Sequence, residues 1–139
     1  MTDRPEILFS SEEIAARVSE LAREIAGAPQ RPDIAMPILV GGIVFAADLV
    51  RALSKEGVDL AVEMLWLRSY GDKRVASAIS MIAGPSDQIA GRHVLVIDGV
   101  LDAGRTIKKA VSLIEAAGAA SVRVVALLDK QRADRVAQA

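Results

Sequence analysis

The chain has no cysteine and few aromatic residues. Without cysteine, disulfide bonds and thiolate metal sites are excluded, and the composition fits a reducing compartment. Aromatic residues make up 3% of a sequence that is 52% hydrophobic, so Val, Ile, Leu and Ala must fill the core. The one histidine, His93, has no second histidine with which to form a zinc site, and we expect it at the surface.

The chain also lacks an excess of charge of either sign. Lys and Arg total 17 against 18 for Asp and Glu, which gives no general attraction to nucleic acid. No apolar run is long enough to span a bilayer, and the polar, acidic start is unlike a secretory leader. We therefore expect a cytoplasmic protein without a nucleic-acid or membrane partner. The length of 139 residues fits one domain.

Strand and helix patterns alternate along the chain. Ser10 and Glu13 form a capping-box pattern that predicts a helix start. Two further helices are predicted, one through Phe45, Leu49 and Leu53 and one over residues 106–117. Apolar runs predict strands at 34–40, 58–67, 78–82, 94–97 and 122–128. This alternation predicts an α/β fold with a mostly parallel sheet flanked by helices, in which ligands bind beyond the carboxyl ends of the strands.

The segment Val94–Thr106 contains the residues best suited to chemistry. An apolar strand is followed by a predicted loop over residues 98–104 and then by a helix start, where backbone N–H groups favour anions. Gly104 lets a phosphate approach the backbone, and Thr106 adds a hydroxyl. Asp98 and Asp102 suit sugar hydroxyls, Mg²⁺ or a substrate proton. The pattern indicates a site for a phosphorylated ligand, while the alternative is a structural turn whose acids cap the helix.

This segment resembles the phosphoribosyl pyrophosphate (PRPP) motif of type I phosphoribosyltransferases, and the similarity is greatest to the hypoxanthine–guanine enzymes. Four other segments resemble that family in its own order: residues 7–14, 39–49, 68–71 and 127–130. The resemblance implies that family's fold, with a short antiparallel pair of lid strands. It also implies a purine-salvage enzyme that transfers ribose 5-phosphate from PRPP to hypoxanthine or guanine, with Mg²⁺, and releases pyrophosphate.

The resemblance assigns the PRPP-binding residues. Asp98 would hold ribose hydroxyls and is a possible Mg²⁺ ligand. Asp102 would be the catalytic residue, a general base near N7 of the purine. The motif would bind PRPP through Asp98, Gly99, Asp102, Ala103, Gly104, Arg105 and Thr106.

The resemblance also assigns the surrounding parts of the site. Val40, Gly41 and Gly42 would form the pyrophosphate loop. Ser69 and Tyr70 would belong to a lid, and Lys130 would read the 6-oxo group of the purine. A homodimer or homotetramer is implied, for which the apolar strand 58–67 offers interface material.

The chain departs from the family pattern at four points. Gly99 stands where the family has a second acid, Ala103 where it has a hydroxyl, and Val40 where it has a basic residue. The family's C-terminal part, with a purine-stacking aromatic residue and an acid for Mg²⁺, is expected to be missing after Ala139. Each lost charge-assisted contact costs roughly 1.5–3 kcal/mol.

Two alternatives therefore stay open. One is a non-catalytic regulator or degenerate paralogue that binds PRPP or a purine nucleotide. The other is a P-loop nucleotide binder, since Gly99 and Gly104-Arg105-Thr106 differ from that motif mainly by Arg105 in place of lysine.

Overall fold

The computed structural model describes residues 6–70 and 78–130. The helices in these ranges are α1 (Ser11–Gly27), α2 (Ile43–Lys55) and α3 (Arg105–Ala116), together with a short 3₁₀ turn, Asp87–Ile89. The strands are β1 (Ile34–Leu39), β2 (Ala61–Val62), β3 (Leu65–Tyr70), β4 (Ala78–Ala83), β5 (His93–Leu101) and β6 (Ser121–Asp129). No helix in the described ranges is both long and apolar enough to span a membrane.

Within the described ranges the strands form one sheet in the order β4-β3-β1-β5-β6, and the short strand β2 also pairs with β1. The neighbours β3–β1, β1–β5 and β5–β6 are parallel, and β3–β4 is antiparallel. The predicted α/β fold, with a mostly parallel sheet and one antiparallel pair, is therefore confirmed. The chain moves outward from β1 to β4 and then returns to the other side of β1 with β5, so the strand order switches direction between β1 and β5.

Helices cover both faces of the sheet, which explains why the strands are continuously apolar. On one face, α1 and α2 pack against Ala35 of β1 and against Leu95 and Ile97 of β5. On the other face, α3 packs against Met36 of β1 and Val96 of β5. Successive strand residues therefore enter two separate cores made mainly of aliphatic side chains.

The start of α1 has the predicted capping box. The Ser10 hydroxyl accepts a hydrogen bond from the Glu13 backbone N–H at 3.1 Å, and the Glu13 carboxylate accepts one from the Ser10 N–H at 3.3 Å. Two backbone donors that the helix itself cannot pair are thus satisfied by local side chains.

Three predicted boundaries were wrong. The predicted loop 98–104 begins too early, because β5 continues to Leu101 and pairs with β6 through Leu101 and Asp129. The single predicted strand 58–67 is two strands, β2 and β3, which both lie beside β1. The polar, glycine-containing stretch 69–75 predicts a loop, but its first two residues, Ser69 and Tyr70, belong to β3, and residues 71–77 lie outside the described ranges.

Candidate active site

The candidate site lies at the switch point between β1 and β5. These neighbouring parallel strands end at the same edge of the sheet, where β1 leads into the turn before α2 and β5 leads into the turn before α3. Crevices of this kind are the usual ligand sites of open α/β sheets. The topology thus brings the predicted PRPP motif and the predicted pyrophosphate loop to one edge.

The turn before α3 forms a concave surface. Gly104 precedes α3 with φ of 86°, a left-handed conformation that glycine adopts without the steric cost other residues meet. The chain then enters the helix at Arg105, and the Gly104 carbonyl accepts the Lys108 N–H at 2.9 Å. A cavity of about 190 Å³ opens over this turn, lined by Ser69, Ile79, Asp98, Val100, Leu101, Asp102, Ala103, Gly104, Arg105, Thr106 and Ile107.

This cavity brings together most of the residues that the sequence nominated. Both acids, the turn 103–106 and Ser69, a predicted lid residue, line the same space, although Ser69 comes from β3 on the far side of β1. Gly99 does not line it, but lies between Asp98 and Val100, which do. Sequence reasoning missed Ile79, which pairs with Ser69 in the antiparallel pair β3–β4 and carried no motif signal.

Asp98 is a partly buried carboxylate that lines the cavity. Its Oδ1 accepts the Gly99 backbone N–H at 2.8 Å, which fixes the carboxyl group against its own strand. Burial raises the pKa of Asp98 above its ordinary value, and the hydrogen bond from Gly99 opposes this rise. A partner that donates hydrogen bonds or carries positive charge would therefore stabilise the ionised form.

The turn before α2 packs tightly against β5. A methyl group on Gly42 would lie 2.6 Å from the Ile97 carbonyl oxygen and 2.9 Å from the Ile38 carbonyl oxygen, so no larger residue fits there unless the backbone moves. The Gly42 N–H donates to Ile38 at 2.9 Å, and the Ile43 N–H donates to Val40 at 3.2 Å. Val40, Gly41 and Gly42 do not line the 190 Å³ cavity, but this packing holds their turn beside Asp98, which does.

Lys130 lies beside a second, wider cavity of about 900 Å³. The Lys130 backbone N–H donates to the Leu101 carbonyl oxygen at 2.8 Å. This hydrogen bond fixes the end of β6 beside Leu101, the residue directly before Asp102. Val100 lines both cavities. Leu8 and Phe9, before α1, also line the wider cavity, and sequence reasoning did not assign them to a site.

Two predicted features remain outside this geometry. The side chain of Tyr70 and residues 71–77 lie outside the described part of the chain, so of the lid only Ser69 and the strands β3 and β4 are placed. His93 lies at the opposite end of β5 from the cavity, where its Nδ1 is 2.7 Å from the Ser121 hydroxyl. It is partly buried rather than fully exposed, and it takes no part in the candidate site.

A scan of protein families matches the phosphoribosyl transferase domain over residues 6–138. The chain therefore belongs to the phosphoribosyl transferase family, as its sequence predicted. It is 32% identical over 130 residues to the hypoxanthine-guanine phosphoribosyltransferase of Bacillus subtilis, covering 92% of this chain and 71% of that protein. For the Dictyostelium discoideum enzyme of the same name, the identity is 31% and the coverages are 94% and 74%.

A third relative is much longer. The bifunctional protein TilS/HprT of Listeria innocua is 31% identical over 137 residues, and the chain spans 21% of its length. Among solved structures, a Trypanosoma cruzi hypoxanthine phosphoribosyl transferase has a TM-score of 0.86 and 32% identity, covering 96% of this chain and 73% of that one. These matches confirm the predicted similarity to the hypoxanthine–guanine branch, and they favour neither the P-loop alternative nor the regulator alternative.

Proposed function

We propose that the chain transfers ribose 5-phosphate from PRPP to a 6-oxopurine, hypoxanthine or guanine, and releases pyrophosphate. The observation that carries this proposal is the 190 Å³ cavity, in which two carboxylates, a glycine turn at a helix start and a lid-strand serine meet at the switch point of the sheet. The family match and the names of the relatives support the same reaction.

The parts of PRPP fit different walls of this crevice. The 5′-phosphate would bind the turn formed by Ala103, Gly104, Arg105 and Thr106, where helix-start N–H groups favour an anion. The ribose hydroxyls would donate to Asp98. The leaving pyrophosphate would bind at Val40, Gly41 and Gly42 on the adjoining turn, so ribose and leaving group would bridge β1 and β5.

Asp102 is proposed as the catalytic residue. Asp102 lines the cavity and directly precedes the proposed phosphate-binding turn. It follows Leu101, whose carbonyl accepts the Lys130 backbone N–H at the end of β6. From there it would accept a proton from the purine as the bond to ribose forms. Ser69 and Tyr70 would close over the reacting groups and exclude water, which strengthens electrostatic stabilisation of the transition state.

Mg²⁺ is the proposed cofactor, and the available donors suit a metal that arrives with PRPP. The described residues contain no cluster of three or more metal-ligating side chains, but Asp98 and Asp102 line one cavity. Mg²⁺ is commonly held by one or two carboxylates together with substrate phosphates and water. Asp98 would be the protein ligand, and the metal would neutralise charge on the departing pyrophosphate.

Lys130 would select the base. An ammonium group donates to a 6-oxo group and is left unpaired opposite the 6-amino group of adenine, which costs binding. Pyrophosphate release should therefore be rapid with hypoxanthine or guanine and at least tenfold slower with adenine. Lys130→Ala should reduce kcat/KM for the 6-oxopurine about 10- to 100-fold, while Lys109→Ala, at an exposed position on α3, should not. Equal release with all three bases would contradict this assignment.

We further infer a homodimer or homotetramer in the cytoplasm. Self-association is supported by the segment 58–67, which the sequence predicts as a subunit interface. In this segment, Val62 and Met64 are each 49% exposed. Contiguous exposed apolar patches mark sites of protein–protein contact. No nucleic-acid or membrane partner is expected from the near-neutral charge.

A further inference from the structure

The 190 Å³ cavity is lined by residues from two separate parts of the sheet. One group lies between Asp98 and Ile107, along the end of β5, the turn and the start of α3. The other group consists of Ser69 on β3 and Ile79 on β4, which are directly opposite each other in the antiparallel pair. Side chains of such partners lie on the same face of a sheet. The pair β3–β4 therefore presents one hydroxyl and one branched apolar side chain to the cavity.

The side chain of Ile79 is held in place by the core. It is partly buried and packs against the apolar cluster between the sheet and α3, which contains Leu67 of β3 and Ile107 of α3. Because a β-branched side chain is stiff at its first torsion, Ile79 keeps this position. It thus maintains an apolar surface in a cavity that also contains the carboxylates of Asp98 and Asp102.

We propose that Ile79 excludes water from the reacting centre and thereby favours transfer to the purine over hydrolysis of PRPP. This inference rests on the proposed function. In transfer, the bond between C1 of ribose and the pyrophosphate oxygen breaks, and the purine nitrogen bonds to C1. When water attacks instead, its oxygen bonds to C1, one of its protons passes to solvent, and the products are ribose 5-phosphate and pyrophosphate. Exclusion of water from a closed site prevents such side reactions.

The identity of residue 79 determines whether water is held beside C1. An ordered water in a protein is held by about two to four polar partners. The Ser69 hydroxyl is one such partner, and the apolar side chain of Ile79 supplies none. Ile79→Thr adds a second hydroxyl opposite Ser69 and so creates a site for the competing nucleophile.

The test compares Ile79→Thr with Ile79→Val. The two variants have side chains of the same shape and differ by a hydroxyl in place of a methyl group, so they separate polarity from packing. Ile82→Thr makes the same change on the same strand, at a side chain that is 42% exposed and does not line the cavity. Each protein is incubated with PRPP, Mg²⁺ and hypoxanthine, and inosine 5′-monophosphate, ribose 5-phosphate and pyrophosphate are quantified.

Wild type, Ile79→Val and Ile82→Thr should form nucleotide and pyrophosphate in nearly equal amounts. In Ile79→Thr, the hydrolysed share of PRPP should be about tenfold above that of Ile79→Val, the effect of one added hydrogen bond to water. A variant that merely loses structure slows both reactions and leaves their ratio unchanged. Equal hydrolysed shares in Ile79→Thr and Ile79→Val would overturn the proposal, as would increased hydrolysis in Ile82→Thr. If wild type forms no nucleotide, the proposed function itself fails, and the role of Ile79 fails with it.

Discussion

At the scale of single residues, the two acids of the cavity have different surroundings. Asp98 is tied to its own strand by the Gly99 N–H, and burial raises its pKa. Asp102 directly precedes the turn at residues 103–106, after β5 has ended. The binding role proposed for Asp98 and the proton-accepting role proposed for Asp102 can be separated by substitution.

Asp102→Asn should abolish most of the transfer while leaving PRPP affinity near that of wild type. Asparagine retains the size and hydrogen-bonding capacity of the side chain but cannot accept the proton, and general-base catalysis typically contributes 10²- to 10⁴-fold in rate. The measurement is kcat from pyrophosphate release together with the Kd of PRPP from calorimetry. Parallel losses in both quantities would show that Asp102 binds PRPP rather than acting as the base.

Asp98→Asn should change stability in a pH-dependent way. Because burial raises the pKa of Asp98 in the folded protein, the carboxyl stabilises the fold most when protonated, and this contribution is lost as the pH rises through the folded-state pKa. The variant should therefore gain unfolding free energy relative to wild type at pH 7, and the gain should shrink as the pH falls towards about 4. Urea unfolding at several pH values measures the difference in unfolding free energy between the variant and wild type. If this difference does not vary with pH, the role of burial is contradicted.

At the scale of helices and strands, much of the architecture could be predicted. The capping pattern of Ser10 and Glu13 and the apolar runs depend on local chemistry, so they identified α1 and the core strands. The end of β5 could not be read locally, because the polar residues Asp98 and Gly99 look like a loop and are held in a strand only by pairing with β6. The split of segment 58–67 likewise depends on its two pairings with β1.

Ser10→Ala should lower the unfolding free energy by about 1 kcal/mol, the usual cost of removing a helix cap. The Ser10 hydroxyl is the acceptor for the Glu13 N–H, and alanine leaves that donor to water. Ser11→Ala removes a hydroxyl one position later, within the helix. It should change the unfolding free energy by less than about half of the change caused by Ser10→Ala. Thermal unfolding of both variants measures the difference, and equal Tm values would contradict the cap.

At the scale of the whole molecule, the site depends on contacts between segments that are distant in sequence. Motif spacing nominated the residues from Asp98 to Thr106, and the cavity places most of them together with Ser69. No local pattern could show that Ile79 would join them or that Val100 would line two cavities, because both depend on how strands pair. The roles of these residues stay predictions until ligands are measured.

Self-association should be sensitive to the segment 58–67. Met64→Glu places a charge on a side chain that is 49% exposed, and burying an unpaired charge in an interface is costly. Sedimentation velocity should show a shift from the oligomer towards the monomer for this variant. Ile7→Glu changes a side chain that is 80% exposed before α1 and should leave the oligomer intact. An unchanged sedimentation coefficient for Met64→Glu would place the interface elsewhere.

The most direct test of the proposed reaction is to identify its products. The purified chain is incubated with PRPP, Mg²⁺ and hypoxanthine, and nucleotide and pyrophosphate are quantified together by mass spectrometry and a coupled assay. The proposed function predicts inosine 5′-monophosphate and pyrophosphate in equal amounts, with neither formed when the base is omitted. PRPP binding without any nucleotide product would contradict transfer and favour a binding protein on the same fold.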